Sequence, residues 1–303
     1  MPFDIRSETF TDAVPKTGKL EKIAGDLGFT EGPIWHPDDG YLIFSDIQES
    51  HQYKWHPDSG SQVFRTPSNQ SNGNCFDTEG RVITCEHASS HLVRHDHGGK
   101  RVTAIATQYD GKELNSPNDV ICDSKGRIWF TDPSFGRIRE DLGILREQDL
   151  PYQGVFRLDP DGTLTLVCDD FQQPNGLCLS ADETRLFVND SWGGHIRVFD
   201  VAEDGALSDG RVWADVTGEG DGVPDGMKCT TQGHILCNGP GGVHVFDASA
   251  NCLGVILMPE KSTNFCFGGP QLRTLFITAS TSVYRIETRL TALPMIPKDT
   301  ASQ

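Results

Sequence analysis

Apolar residues along the chain come in short runs rather than at helical spacing. Runs rich in Val, Ile, Leu, Phe, Trp and Tyr recur at Tyr41–Asp46 and at 81–85, 127–131, 185–189, 234–237 and 274–278. Most follow a turn signal, such as Asp38-Asp39-Gly40, Thr78-Glu79-Gly80 or Ser124-Lys125-Gly126. Gly and Asp tolerate the backbone that tight reversals need, so runs bounded in this way predict antiparallel strands. Upstream of each turn sits another short strand. Its head is Glu31-Gly32-Pro33, Asn72-Gly73-Asn74, Pro117-Asn118-Asp119, Pro174-Asn175-Gly176, Pro224-Asp225-Gly226 or Thr263-Asn264. The heads recur roughly 39 to 57 residues apart, the range in which propeller blades repeat. A third run often completes the unit, as at 155–159 before Asp161-Gly162.

Six similar units predict an all-β fold, a six-bladed β-propeller, because radial closure leaves no long sheet edge exposed. A β-sandwich is the alternative, and it leaves the six-fold recurrence unexplained. Residues 1–303 are read as a single propeller domain with its core at about 20–290, the N-terminal segment and the tail from 291 being peripheral. Segment 133–154 is too long for an ordinary connection and carries Ile138, Leu142 and Leu145 at helix-like spacing. A connection of this length is usually functional or disordered, and the functional reading is a lid beside the central pocket.

Composition narrows the possible partners. Lys and Arg number 26 against 43 Asp and Glu, a formal net charge of −17. Such a field repels phosphate backbones and anionic headgroups, which argues against nucleic acid and membrane surfaces as partners. No apolar run reaches the length of a membrane helix. Nine scattered cysteines form no C-x-x-C pair, and the first residues show no secretory h-region. A cytoplasmic protein with reduced thiols, monomeric or dimeric, is expected.

In a propeller the innermost strands ring a channel, so their heads meet at one mouth. The heads read Glu31, Asn74, Asn118, Asn175, Asp225 and Asn264, all carboxylate or carboxamide. Hard oxygen ligands of this kind suit Ca2+. Zn2+, Mn2+ and Fe2+ are the other ions to consider, and no organic cofactor is expected. The competing reading is that Asn-Gly and Asp-Gly merely make turns. That reading suffices for one head and not for six.

The segments FTEGPIW (29–35), NSPNDV (115–120), IWFTDPSFG (128–136), QPNGLCLS (173–180), VPDGMKC (223–229) and NFCFGG (264–269) resemble the regucalcin/gluconolactonase family, its bacterial gluconolactonase branch in particular. The resemblance implies one divalent metal at the channel mouth, held by Glu31, Asn175 and Asp225, with Asn118 joining them or touching substrate. It implies hydrolysis of a sugar-acid lactone such as gluconolactone. The related diisopropylfluorophosphatases use a similar set, so a phosphotriesterase or other ester hydrolase is the alternative. A non-catalytic calcium-binding propeller is the third reading. Two departures stand out: animal members carry an Arg and a Glu where this chain has Ser116 and about Gly136. The Thr84-Cys85-Glu86-His87 segment also lacks the basic pair that often follows it in the bacterial branch.

Asp225 is expected to orient or activate the attacking water, or to attack the substrate itself. Turns between second and third strands should open on the same rim, bringing Asp46, His87, Asp132, Asp190 and Asn238 around the pocket. His87, Asp132, Asp190, Asn118 and Asn264 are the expected substrate contacts. Cys85, His87, His91, His95 and His97 resemble a soft-metal cluster only at helical spacing, and the local pattern is β, so zinc is not expected there. Trp35, Trp129 and Trp192 are expected to pack between blades.

Overall fold

The computed structural model describes residues 2–96 and 101–293. His97, the last member of the histidine-rich stretch, and residues 294–303 of the tail lie outside the described residues. The described residues form six antiparallel sheets plus a two-stranded hairpin, with two helices of four residues each, Phe10–Ala13 and Phe135–Ile138. The fold is a six-bladed β-propeller. Among the described residues no helix is long and apolar enough to cross a membrane.

Blades I, II and IV are each built from four consecutive strands, with inner strands Thr30–His36, Ser71–Phe76 and Pro174–Leu179. Blade III begins at Val120–Cys122. Blade V begins at Met227–Cys229 and gains a fifth, outermost strand, Phe3–Ile5, paired with Cys252–Leu257. Blade VI combines three strands from Ser262–Glu287 with Glu21–Ala24, which pairs antiparallel with Ser282–Glu287. Glu21–Ala24 thus closes the ring. The N-terminal segment is not peripheral: Phe3, Phe10, Ala13 and Val14 are buried in the cluster that unites blades V and VI.

The second strands fall within one or two residues of the expected runs, at Tyr41–Asp46, Val82–Glu86, Ile128–Asp132, Arg185–Asp190, Ile235–Gly239 and Thr274–Ala279. Their alternate side chains fill the wedges between blades. Trp35 stacks on Phe276 across the blade VI–I junction, with centroids 5.0 Å apart. Trp129 is fully buried against Leu177, Leu186 and Val188 of blade IV. Trp192 departs from expectation: it is 60% exposed and packs between no blades.

The inner strands of blades I, II, IV and VI carry a bulge at their heads. In blade I, Glu31 opposes Ser45 and Ile34 opposes Ile43, so three steps on one strand match two on the other. The same slip lies between Ser71 and Asn74 and between Pro174 and Leu177, and a one-residue slip lies between Ser262 and Asn264. A bulge reverses the in/out alternation beyond it and bends the strand, which aims the head side chain down the channel.

Candidate active site

The bulge register decides which head residues face the channel. Glu31, Asn72, Asn118, Asn175 and Asp225 occupy equivalent positions and line a cavity of about 50 Å³ at one mouth. Asn74 does not line it. Its amide is spent within the wall, donating to Gly32 O, Ser45 Oγ and Asn72 O and accepting from Gln52 and Thr84. In blade VI the equivalent position is Thr263, whose hydroxyl donates to Thr30 O. Asn264 lies one residue deeper, where its Oδ1 accepts from Phe265 N and lies 3.4 Å from Lys228 Nζ. It supports the cup and does not line the cavity.

Neighbouring blades tie the heads together by their backbones. Ser45 Oγ donates to Asn72 O at 2.7 Å, and Thr131 Oγ1 donates to Asn175 O at 2.8 Å. Asn189 Nδ2 donates to Asp225 O, and Gly226 N donates to Thr263 O. Close approach requires glycine here. A Cβ on Gly176 would sit 2.2 Å from Asp225 O.

Three buried carboxylates crowd this end of the channel. Glu31 is held well above the usual carboxylate range by burial, with Asp225 adding to the effect, while Gly32 N donates to its Oε2 at 2.8 Å. Asp225 is pushed up to about 7, chiefly by burial; Lys261 opposes that shift and Asp119 adds to it. Asp119, one residue beyond Asn118, is raised by burial, with Lys228 at 3.9 Å opposing.

Asn175 Nδ2 donates to Ser191 Oγ, whose hydroxyl donates to Pro224 O. That leaves Asn175 Oδ1 buried without a hydrogen-bond partner, as is Asn72 Oδ1. Buried oxygens beside unneutralised carboxylates are costly unless a cation or ligand meets them. Among the described residues no three His, Cys, Asp or Glu side chains form a metal cluster. The donor set is two carboxylates with carboxamides, a composition that fits a hard dication.

The expected rim residues divide. Asp46, Asp132 and Asp190 end the second strands and cap the loops entering the inner strands. Asp46 accepts from Gly28 N and Phe29 N, Asp132 from Asn115 N at 2.7 Å, and Asp190 from Gln172, Gln173, Trp192 and Gly193. Asp132 and Asp190 are therefore loop caps, buried away from the cavity. Asn238 is likewise fully buried off the cavity. His87 is fully buried behind the wall, with its ring nitrogens 3.0 Å from Asn72 Nδ2 and 2.9 Å from Leu142 O. Burial lowers its pKa to about 4.

Several cavity residues carry no signal in the repeat. Phe135, Arg139 and Leu142 come from the 133–154 segment, and Lys261 from the connection into blade VI. The segment is one short helix followed by irregular chain. Leu142 is buried at the cavity, whereas Ile138 and Leu145 are exposed. Arg137 anchors it, donating to Asn115 O, Leu114 O, Glu147 O, Ser90 Oγ and Glu113. Ser116 and Gly136 pack under this segment, where Ser116 Oγ donates to Pro133 O and accepts from Gly136 N. A larger cavity, about 320 Å³, opens at the opposite end of the channel, lined by Cys75, Cys122, Cys178, Cys229 and Cys266. Asn74 lines it, whereas Glu31, Asn72, Asn118, Asn175 and Asp225 do not.

Residues 29–281 match the family described as SMP-30/Gluconolactonase/LRE-like region. A gluconolactonase of Zymomonas mobilis is 33% identical over 89% of this chain and 81% of its own. A pentonolactonase of Haloferax volcanii is 29% identical over 82% of this chain and 81% of its own. A solved gluconolactonase structure from Xanthomonas campestris superposes with a TM-score of 0.88 at 33% identity, covering 95% of each chain.

Proposed function

The chain belongs to the SMP-30/gluconolactonase/LRE-like family, and we propose that it is a metal-dependent hydrolase of sugar-acid lactones such as gluconolactone. The single observation that carries this reading is the cup itself. Glu31, Asn118, Asn175 and Asp225 converge from four blades, two of them carboxylates that burial alone disfavours. The lactonase relatives support the substrate class.

Glu31, Asn175 and Asp225, joined by Asn118, would hold the ion, with Ca2+ expected from the all-oxygen set. A bound dication would supply Lewis acidity toward the lactone carbonyl. The chain's own groups do the rest. Phe29, Ile47, Phe135, Leu142 and Val223 give the cavity its apolar wall, which limits competing water. Asp225 orients the attacking water toward the carbonyl carbon. The water's oxygen forms the new C–O bond, the bond to the ring oxygen breaks, and that oxygen leaves as the hydroxyl of the aldonic acid. Lys261 lines the same cavity and favours the ionised form of Asp225. Nine free cysteines support a reducing compartment, the cytoplasm.

Acid release from aldonolactones, followed on chelator-stripped and metal-restored protein above the spontaneous rate, tests the reading. Turnover of phosphotriesters or aromatic esters in place of lactones would transfer the same cup to the related chemistry. Tight metal binding with no turnover would leave a binding propeller.

A further inference from the structure

We propose that Asn72 is a substrate-contact residue whose carbonyl accepts a hydroxyl hydrogen bond from the lactone, and that His87 is the positioning residue that turns it toward the cavity. The argument runs from the 133–154 segment inward. Leu142 O can only accept, and it lies 2.9 Å from His87 Nδ1, so Nδ1 carries the proton. The neutral ring then has a lone pair on Nε2. The atom 3.0 Å away is therefore the amide nitrogen of Asn72, donating to it. With its NH2 committed to the imidazole, Asn72 presents Oδ1, which has no partner inside the protein.

The rest of the cavity wall says what that oxygen meets. On the proposed function, Glu31, Asn118, Asn175 and Asp225 are engaged by the ion. The other polar side chains lining the cavity are Arg139 and Lys261, which can only donate. Asn72 Oδ1 is the remaining neutral acceptor, and a sugar lactone offers several hydroxyl donors. The imidazole is held in turn by a segment pinned through Arg137 and through Arg146, which donates to Ser90 Oγ. The segment therefore sets the orientation of a group in the cup through His87.

The substrate half of this inference rests on the lactonase reading; the orientation half does not. In the full-length protein labelled with 15N-histidine, a long-range 1H–15N correlation assigned with His87→Gln should show His87 protonated on Nδ1. Protonation on Nε2 would require Asn72 to present its NH2 instead and would overturn the orientation. Asn72→Ala should raise KM for gluconolactone by about tenfold, the equivalent of one hydrogen bond, with kcat little changed. Ca2+ affinity of the stripped protein should stay within about twofold. His87→Ala should reproduce the KM effect, and His87→Gln, whose carbonyl can still accept from Asn72, should recover most of it. An unchanged KM in Asn72→Ala would overturn the contact, and a parallel loss of Ca2+ affinity would make Asn72 a metal ligand instead. If the wild type opens no lactone, the substrate half falls with the lactonase reading, and the tautomer still decides the orientation.

Discussion

Adding one methyl group at Gly176 should disable the cup while leaving the propeller folded. Gly176 lies between Asn175 and Leu177 on the inner strand of blade IV and faces the backbone of blade V. A Cβ there would sit 2.2 Å from Asp225 O, 2.9 Å from Asn189 Nδ2 and 2.9 Å from Met227 N. Ordinary contact begins near 3.4 Å, so blade V must recede by roughly 1 Å at Asp225, the residue proposed to orient water. Overpacking of this kind costs about 1–3 kcal/mol, which a protein of this size survives with a lower melting temperature. A shift of ~1 Å in a reacting constellation costs on the order of 100-fold in rate. Gly176→Ala should therefore retain a cooperative melt, bind Ca2+ more weakly and lose about two orders of magnitude in kcat/KM. Leu253→Ala, a core change in blade V away from the cup, should cost about 2–5 kcal/mol and keep its turnover. Wild-type metal affinity and turnover in Gly176→Ala would refute the claim that contact between blades IV and V sets the geometry of the site.

Asp225→Asn should abolish turnover and raise the melting temperature of the metal-free protein, because it removes a buried charge beside Glu31 and Asp119; a fall in that melting temperature would contradict the electrostatic reading. Arg137→Met should cost about 1–3 kcal/mol in urea unfolding, since it strips the Leu114 and Glu147 carbonyls of a donor, while Asn115 O keeps Ser90 Oγ and Glu113 keeps Arg146. Loss of that anchor should also lower turnover through Phe135 and Leu142. His95 is buried against Phe64, with its pKa lowered to about 4 by burial and Arg65. Unfolded histidine titrates near 6.5, so the unfolded chain takes up the proton first as pH falls. Stability contributed by neutral His95 is thus full above pH ~6.5 and lost toward pH 4; urea midpoints across that window should flatten in His95→Phe.

The repeat was legible because each blade spends residues on reversals. The second strands announce themselves through turns such as Asp38-Asp39-Gly40, and alternation then places Phe44, Phe130 and Phe187 inward. Glu31, Asn118, Asn175 and Asp225 were legible as heads for the same reason. Asn74 and Asn264 were misplaced because the bulge inserts one residue, and alternation counted without it lands on the wrong side chain. The better signal was the residue before glycine: Glu31-Gly32, Asn72-Gly73, Asn175-Gly176 and Asp225-Gly226 share one register. Asp132 and Asp190 carry the residue type that either caps a loop or binds a ligand, and only the backbone N–H groups that meet them, four at Asp190 and Asn115 N at Asp132, decide between the two. Lys261 and Arg139 reach the cavity from irregular chain, where no period exists to read.

The central claim is that the oxygen cup makes this propeller a lactonase. Acid release from gluconolactone and other aldonolactones should be followed on chelator-stripped protein, then after restoring Ca2+, Zn2+, Mn2+ or Fe2+, in wild type and in Asp225→Asn. The account predicts turnover that disappears with the ion, returns with Ca2+ and never appears in Asp225→Asn. Lactone hydrolysis that survives stripping, or persists in Asp225→Asn, would contradict it.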